Sequence, residues 1–232
     1  MANFNRENID GVLFDLGGTL TYINGGQALH SRFIYDTLNN LISPMPAVMP
    51  FEEHTRFLVG RYFDLRSEYF NDGSDFFLHE FMPNALKEYG IPEKVVESIS
   101  FKMCGAVYKY EYENIKLFDG AVDLLTHLDG KGYKLGLISN TCYTSDQLRT
   151  LITRVGIGHF FNVVLTSCEE RCSKPNVGIF RKALKILKLE PERSVYIGDN
   201  PEFDAKGASN AGMHFLTVTP EFTLNEIHRI FE

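Results

Sequence analysis

The chain is poor in the residues that build disulfide or metal scaffolds. It has no tryptophan and only four cysteines in 232 residues, too few for a disulfide framework. Cys168 and Cys172 are four residues apart, a spacing that can bind a metal from a helix, but no nearby pair of histidines completes a tetrahedral set. We therefore expect free thiols and a reducing compartment, the cytoplasm.

Long apolar runs and an excess of basic charge are also missing. The longest apolar stretches fall far short of the ~18 residues of a membrane span, and the stretch 1–10 is polar, without the apolar centre of a secretory signal. With 23 Lys and Arg against 30 Asp and Glu, the net charge is −7. This balance argues against nucleic acid or an anionic membrane as the main partner. The oligomeric state is left open.

Apolar strand patterns alternate with helix patterns in two parts of the chain. Asp119 is the expected N-cap of the helix over 119–130, and Pro175 lies near the first turn of the helix over 175–189. Strands that alternate with helices predict an α/β fold, a doubly wound parallel sheet covered on both faces. The expected strands cover 9–15, 133–140, 162–167, 194–199 and 213–219, and the expected helices cover 119–130, 175–189 and 205–212.

The segment 22–114 interrupts this alternation. It shows no convincing buried strand but a strong aromatic helix pattern, so we expect an inserted helical domain with its own core. One stripe of apolar residues at alternating steps of four and three is widened by Phe57, Phe63 and Phe70. That stripe consists of Phe51, Thr55, Leu58, Tyr62, Leu65 and Tyr69.

Polar residues stand where the buried strands end. Asp15 ends the first strand, Ser139 and Asn140 the second, and Asp199 the fourth, while Lys174 precedes the helix after the third. Ligands bind at the carboxyl ends of such strands. Asp15 is suited to attack phosphorus or to bind metal, and Asp15 and Asp199 are hard oxygen ligands of the kind Mg²⁺ takes.

A phosphate group at this edge of the sheet would also need donors. Ser139 and Lys174 can hold its nonbridging oxygens. Backbone N–H groups of the turn Gly17-Gly18-Thr19 can approach it closely, because glycine has no side chain. Taken singly, each of these residues is more often a cap, a turn residue or a surface lysine. Together and in this order, they predict a site for a phosphorylated small molecule.

Four ordered segments, VLFDLGGTL, LGLISN, SKPNVGIFRKAL and VYIGDNPEFDAKGASNAGM, resemble the motifs of the haloacid dehalogenase-like (HAD) hydrolase superfamily. The resemblance covers the expected core, 1–21 and 115–232, and 22–114 sits where members of its first subfamily carry a helical C1-type cap. Most members are Mg²⁺-dependent phosphatases that form an aspartyl-phosphate.

The resemblance implies a role for each matching residue. Asp15 would be the nucleophile and a metal ligand, and Asp199 would bind Mg²⁺ with Asp204 supporting the metal shell. The backbone carbonyl of Gly17 would complete the metal site. The expected ligands of the phosphate or substrate are Gly18, Thr19, Ser139, Asn140 and Lys174.

Gly17 departs from the family pattern. Most phosphatases of the family have a second aspartate there, which protonates the leaving oxygen and then activates water. Glycine can do neither, and general acid–base catalysis is typically worth ~10²–10⁴ in rate. We therefore expect a phosphatase whose leaving group is good or receives its proton from elsewhere.

Other functions remain open at this stage. A dehalogenase also lacks the second aspartate, but the acidic pair Asp199 and Asp204, which dehalogenases lack, is present here. A phosphonate hydrolase needs an early lysine in the cap, and this chain has no lysine before Lys87. A binding or regulatory protein with little turnover is the alternative from a different class.

Overall fold

The computed structural model describes residues 6–43 and 49–232. Residues 1–5 of the expected core, half of the polar stretch 1–10, and residues 44–48 of the expected insert lie outside the described residues. The strands are β1 Gly11–Phe14, β2 Thr21–Ile23, β3 Ile115–Leu117, β4 Lys134–Ser139, β5 Val163–Thr166, β6 Ser194–Gly198 and β7 His214–Thr217.

Helices fill most of the remaining described chain. The α-helices are α1 Gly26–Ile42, α2 Phe51–His54, α3 Arg61–Asn71, α4 Leu78–Glu88, α5 Glu93–Asn114, α6 Ala121–Gly130, α7 Ser145–Arg154, α8 Ser167–Glu170, α9 Val177–Leu187, α10 Lys206–Ala211 and α11 Leu224–Phe231. Thr55–Gly60 and Pro201–Ala205 are π-helical, and Arg6–Asn8, Gly158–Phe160 and Pro191–Arg193 are short 3₁₀ turns.

A five-stranded parallel sheet forms the centre of the α/β fold, in the order β5-β4-β1-β6-β7. Every residue of β1, β5 and β6 is buried, as expected for parallel strands covered on both faces. The chain leaves β1 toward β4 and β5 and later returns to its other side for β6 and β7, which is the doubly wound topology predicted from the sequence.

Two helix starts differ from the sequence expectation. The N-cap of α6 is Gly120, at φ 82°, a left-handed conformation that glycine adopts without strain. Asp119 lies one residue before it, and no side chain caps the helix. The second helix, α9, begins at Val177 with Asn176 as its N-cap, whose side chain accepts from the Gly178 amide at 2.9 Å. Pro175 lies two residues before the helix and so is near its first turn, as expected, although the helix itself begins later than residue 175.

Helix α9 supplies one side of the sheet with an apolar face. Its buried residues recur at helical spacing and pack in one cluster with Leu13, Ile138 and Tyr196 from the three central strands. At roughly 25 cal/mol per Å² of apolar area, such a face stabilises the sheet by several kcal/mol. The buried face of α9 consists of Ile179, Phe180, Ala183, Leu184 and Leu187.

By compactness the chain divides into two units. The first contains Met1–Tyr22, Gly73–Asp75 and Lys116–Glu232, and the second contains Ile23–Asp72 and Phe76–Ile115. The first unit holds the parallel sheet, and the second is helical. The three residues Gly73–Asp75 belong to the first unit although the chain on both sides of them belongs to the second.

The apolar face of the second unit is displaced from the expected stripe. Leu58 is buried as expected, together with Val59 and His54, but Tyr69 is 39% exposed and Phe63 is 50% exposed. Helix α3, which follows the π-helical turn Thr55–Gly60, contains no buried residue, so the part of the expected stripe that lies on α3 is not buried.

Strands β2 and β3, which the sequence does not reveal, pair with each other at the ends of the insert. The Asn24 amide donates to the Asn114 carbonyl at 2.9 Å and the Phe118 amide donates to the Leu20 carbonyl at 3.0 Å, so the two strands run antiparallel. None of the helices described combines the length and the apolarity that a membrane crossing requires.

Candidate active site

The central strand β1 lies between β4 and β6, so their carboxyl ends form one edge of the sheet. Phe14 at the end of β1 is in register with Leu137 of β4 and with Ile197 of β6. Asp15 therefore follows one residue beyond the paired positions, and Ser139 and Asp199 follow two residues beyond them. This is the point where the chain order of the sheet reverses.

A tight turn holds the residues after Asp15. The Leu16 carbonyl accepts from the Leu20 and Thr21 amides, each at 2.9 Å, and the Gly18 amide donates to the Thr21 carbonyl at 2.8 Å. Gly18 has φ +89°, and a Cβ there would lie 2.5 Å from Asp199 Oδ2, so glycine is required by both conformation and space.

Gly17 differs from Gly18 in this respect. It is exposed, its φ lies outside the left-handed region, and a Cβ at this position would meet no atom within 4 Å. The site therefore lacks an acid at position 17 only because the residue there is glycine. The surrounding structure leaves room for a side chain.

Lys174 is the centre of the site's charge network. Its side chain is 3% exposed, and Nζ donates to Asp15 Oδ1 at 2.6 Å, to Asp204 Oδ1 at 2.7 Å and to the Tyr196 hydroxyl at 3.1 Å. The ammonium group has three N–H bonds, and each has an acceptor in the protein. A buried ammonium satisfied in this way holds two carboxylates at fixed positions.

Burial and neighbouring charges determine the protonation equilibria of these groups. Burial raises the pKa of Asp15 to about 6, with Asp204 and Asp199 acting in the same direction and Lys174 opposing them. Burial acts to lower the pKa of Lys174, but the carboxylates of Asp15 and Asp204 outweigh it and raise this pKa. Lys174 therefore remains an ammonium donor.

Tyr196, in the middle of β6, is a site residue that the sequence analysis missed. Its side chain is fully buried, and its hydroxyl accepts from Lys174 and donates to the Ile138 carbonyl at 3.1 Å. Burial and the nearby carboxylates raise the pKa of Tyr196 far above its usual value, so the hydroxyl keeps its proton. A single hydroxyl within the otherwise apolar run VYIG was the only signal in the sequence.

Three carboxylates form a group that fits a divalent cation. Asp15, Asp199 and Asp204 each offer an oxygen, and these oxygens lie within 4.8 Å of one another. Thr19 Oγ1 donates to Asp199 Oδ1 at 3.1 Å and lies 3.4 Å from Asp15 Oδ2. With Lys174 as the cation facing them, three carboxylates leave an excess of negative charge, and hard oxygen donors are what Mg²⁺ prefers.

The loop after β6 places Asp204. Asn200 Oδ1 accepts from the Glu202 and Phe203 amides, and Asp204 Oδ2 accepts from the Asn200 amide at 3.0 Å. A Cβ at Gly198 would lie 2.5 Å from Asp204 Cγ, so the strand must end in glycine for this side chain to fold back against it. Asp204 is 1% exposed.

The remaining predicted ligands differ in their placement. The Asn140 amide group is paired with the Lys174 backbone: Nδ2 donates to the Lys174 carbonyl at 3.0 Å, and Oδ1 accepts from the Lys174 amide at 2.9 Å. Ser139 is buried at the end of β4, and Thr19 directs its hydroxyl at the carboxylates. The structure thus brings all the predicted residues to one edge of the sheet, and their roles toward phosphate and metal stay predictions.

The four cysteines are free thiols. Cys168 donates to the Tyr143 carbonyl, with Sγ 2.9 Å from the oxygen. Within residues 6–43 and 49–232, the aspartate trio is the one group of His, Cys, Asp or Glu with a geometry suited to a metal.

Comparison with known proteins identifies the family. The family model of haloacid dehalogenase-like hydrolases matches residues 9–212, and the chain belongs to this family. A "Glyceraldehyde 3-phosphate phosphatase" of Methanothermobacter thermautotrophicus is 44% identical over 117 residues, covering 48% of this chain and 51% of that protein. A "Phosphoserine phosphatase" of Thermus thermophilus is 28% identical over 159 residues, covering 63% and 61%.

Human "Haloacid dehalogenase-like hydrolase domain-containing protein 3" is 35% identical over 107 residues, covering 46% of this chain and 41% of that protein. The chain spans about half the length of the curated relatives it matches.

Solved structures extend the likeness in fold to almost the whole chain. A HAD-hydrolase from Bacillus subtilis bound to magnesium superposes with a TM-score of 0.68 at 20% identity, covering 96% of this chain and 98% of that one. A HAD phosphatase from Thermococcus onnurineus superposes with a TM-score of 0.67 at 21% identity, covering 96% and 97%.

Proposed function

We propose that this protein is a Mg²⁺-dependent phosphatase that cleaves a small phosphorylated metabolite through an aspartyl-phosphate on Asp15. One observation carries the proposal: Asp15 lies beside Asp199 and Asp204 at the switch point of the sheet, with a buried lysine holding two of the three. This arrangement would supply a nucleophile, a metal site and a fixed cation within one hydrogen-bonded group, which supports the proposal.

The relatives support the substrate class. Two of them are named for phosphatases acting on glyceraldehyde 3-phosphate and on phosphoserine. Both names describe small phosphate monoesters, so we propose a substrate of this size. These two compounds are the first to assay.

The aspartate trio would hold the metal. When bound, Mg²⁺ would neutralise charge on the phosphoryl group and on the nucleophile. We propose Asp15 and Asp199 as direct ligands with the Gly17 carbonyl, and Asp204 as the residue that orients them through Lys174 and Asn200.

The residues of this chain would carry the reaction in two steps. In the first, Asp15 Oδ2 attacks the phosphorus, a P–O bond to Asp15 forms, and the P–O bond to the leaving oxygen breaks. Lys174, on Oδ1, fixes the orientation of the attacking carboxylate. We propose that Ser139 and the amides of Gly18 and Thr19 hold the nonbridging oxygens.

In the second step, water attacks the phosphorus of the acyl phosphate and the P–O bond to Asp15 breaks. The products are inorganic phosphate, which takes its new oxygen from the water, the free carboxylate of Asp15 and a proton that passes to solvent. The departing oxygen of the first step needs a proton, and Gly17 has no side chain that could donate it. We propose that the substrate or solvent water supplies this proton, which favours leaving groups that depart as weak bases. We propose 22–114 as a cap that selects the substrate, on a core of 1–21 and 115–232.

The test is phosphate release by the purified protein, with Mg²⁺ and with EDTA, from glyceraldehyde 3-phosphate, phosphoserine and a chromogenic aryl phosphate. We expect release that needs Mg²⁺ and is lost in Asp15→Asn, which keeps the shape of the side chain. Release that persists in EDTA, or in Asp15→Asn with an unchanged unfolding midpoint, would contradict the mechanism.

A second function is favoured by one observation, the missing acid at Gly17. A protein with this site could bind Mg²⁺ and phosphate as a regulatory module with little turnover. Calorimetry distinguishes the two: binding of phosphate in Mg²⁺ without release from any ester or acyl phosphate would favour the module.

A further inference from the structure

Asp75 is a buried carboxylate that the proposed reaction does not use. It is 1% exposed and lies on the short segment Gly73–Asp75, which belongs to the first unit although its chain neighbours do not. Burying a carboxylate away from water is costly unless hydrogen bonds compensate it. The partners of this carboxylate therefore indicate what it does.

The carboxylate reaches the loop after β4 through one serine. Ser167 Oγ donates to Asp75 Oδ2 at 2.5 Å and accepts from the Thr141 amide at 2.9 Å. Thr141 directly follows Asn140. A hydroxyl that donates to a carboxylate is a better acceptor for a second donor, because hydrogen bonds in a chain polarise one another. Asp75 thus strengthens the bond that fixes the Thr141 amide.

The same segment also holds the loop that carries Lys174. The Ser173 amide donates to the Gly73 carbonyl at 3.0 Å. Gly73 has φ +73°, and a Cβ there would lie 2.6 Å from Asn176 Nδ2, so this close approach requires glycine.

These bonds close into a ring. Asn140 is paired with the Lys174 backbone by two hydrogen bonds, at 3.0 and 2.9 Å, which joins the loop after β4 to the Lys174 loop. The segment Gly73–Asp75 joins the same two loops on another side, through Ser173 at one end and through Ser167 and Thr141 at the other. We call this closed circuit the brace ring.

We propose that Asp75 is a positioning residue that, through the brace ring, fixes the loop of Ser139 and Asn140 and the loop of Lys174 in the geometry that binds a phosphoryl group. The inference rests on the proposed phosphate site, because it identifies a residue that supports the loops of that site. It gives the segment between α3 and α4 a role in the site without requiring that it touch the substrate.

Charge and position predict opposite effects for one substitution, Asp75→Asn. Removing a negative charge near an anion site should tighten phosphate binding if charge alone matters. Loss of a charge-assisted hydrogen bond from the brace ring should loosen it, by about tenfold in the dissociation constant. Asp64→Asn, the same change at an exposed residue of α3, is the matched control.

The experiment measures inorganic phosphate binding by calorimetry in saturating Mg²⁺ for wild type, Asp75→Asn, Ser167→Ala and the double variant. We expect weaker binding in each single variant and no further loss in the double variant, because both remove one path. Unchanged or tighter binding in Asp75→Asn, or additive losses in the double variant, would overturn the proposal.

Amide hydrogen exchange without ligand tests the ring apart from the function. The Thr141 and Ser173 amides should exchange at least several-fold faster in Asp75→Asn than in wild type. In Asp64→Asn their exchange rates should equal those of wild type. Unchanged exchange would refute the ring even if the protein is a phosphatase. If Asp75→Asn does not fold, Ser167→Ala alone decides by the same two measurements. If these amides exchange faster in Asp75→Asn but the wild type releases no phosphate, the ring stands and the proposed function falls.

Discussion

Replacing Gly17 with aspartate would add a carboxylic acid to the turn after Asp15 at a position with room for it. The new Cβ would meet no atom within 4 Å, and the backbone there does not require glycine. The turn itself is held by the Leu16 carbonyl and by the bond from the Gly18 amide to Thr21, neither of which involves the Gly17 side-chain position. We therefore expect Gly17→Asp to fold with an unchanged unfolding midpoint.

The size of the effect depends on the leaving group. A positioned general acid is worth ~10²–10⁴ in rate, which is about 3–5 kcal/mol of the barrier at 1.36 kcal/mol per tenfold. An alkoxide leaving group needs the proton most, so alkyl phosphates should gain about tenfold to a hundredfold in kcat/KM, at the low end of what a placed acid gives. An aryl oxide needs it least, and aryl phosphates should change by less than about threefold.

The assay is a series of phosphate monoesters whose leaving groups span a wide range of pKa, with kcat/KM measured for wild type and Gly17→Asp. Wild type should show a steep fall in rate as the leaving group becomes more basic, and the variant should show a shallower one. Gly17→Asn, which has the same shape but no acidic proton, is the control and should keep the steep slope.

Three results would refute this reasoning. Equal gains for alkyl and aryl substrates would mean that the new carboxylate acts on binding rather than on the leaving oxygen. A steep slope in both wild type and Gly17→Asp would mean that the acid is not aimed at that oxygen, whereas a shallow slope in wild type would mean that another group already supplies the proton.

Three further outcomes follow from described contacts. Tyr196→Phe removes an acceptor of Lys174 and the donor to the Ile138 carbonyl, so we expect about 1–3 kcal/mol less stability in urea unfolding; a stability loss below 0.5 kcal/mol would contradict the role of the hydroxyl. Gly18→Ala meets φ +89° and Asp199 at 2.5 Å, so Mg²⁺ affinity by calorimetry should fall while Gly17→Ala leaves it unchanged. His54 is fully buried, with burial lowering its pKa from 6.5 to about 4, so the unfolded state binds a proton first as the pH falls. The free energy of unfolding should drop by up to about 3 kcal/mol between pH 6.5 and 4, measured against His54→Phe in an Asp15→Asn background, where the opposing raised pKa of Asp15 is absent; equal slopes in both proteins would contradict it.

The positions at the strand ends could be predicted because they follow from a local pattern and one topological rule. A buried apolar run that stops at a polar residue marks the end of a strand, and parallel strands end at one edge. This rule was enough to predict that Asp15, Ser139 and Asp199 lie close together. The predicted fold class was confirmed. Lys174 followed from its place before a helix.

What the sequence could not give depends on contacts between distant positions. Tyr196 looks like one more apolar strand residue until the neighbouring strand and the lysine are in place. The burial of His54 depends on contacts with residues such as Tyr89, whose hydroxyl lies 3.0 Å from His54 Nδ1 although it is 35 positions away in the chain. The bond from Ser167 to Asp75 joins residues 92 positions apart, and no spacing rule connects them.

The pairing of β2 with β3 makes the insert a module with a fixed point of entry and exit. Because Asn24 and Asn114 are hydrogen-bonded neighbours, a short hairpin could join the two strands in place of everything between them. Such an exchange would leave the five-stranded sheet and its carboxylates unchanged, yet it would remove Gly73 and Asp75 along with the helices of the insert. A chimera with a foreign insert between these two strands would therefore keep the carboxylates and Lys174 of this chain. The foreign insert would have to supply new contacts that hold the loops of Asn140 and Lys174.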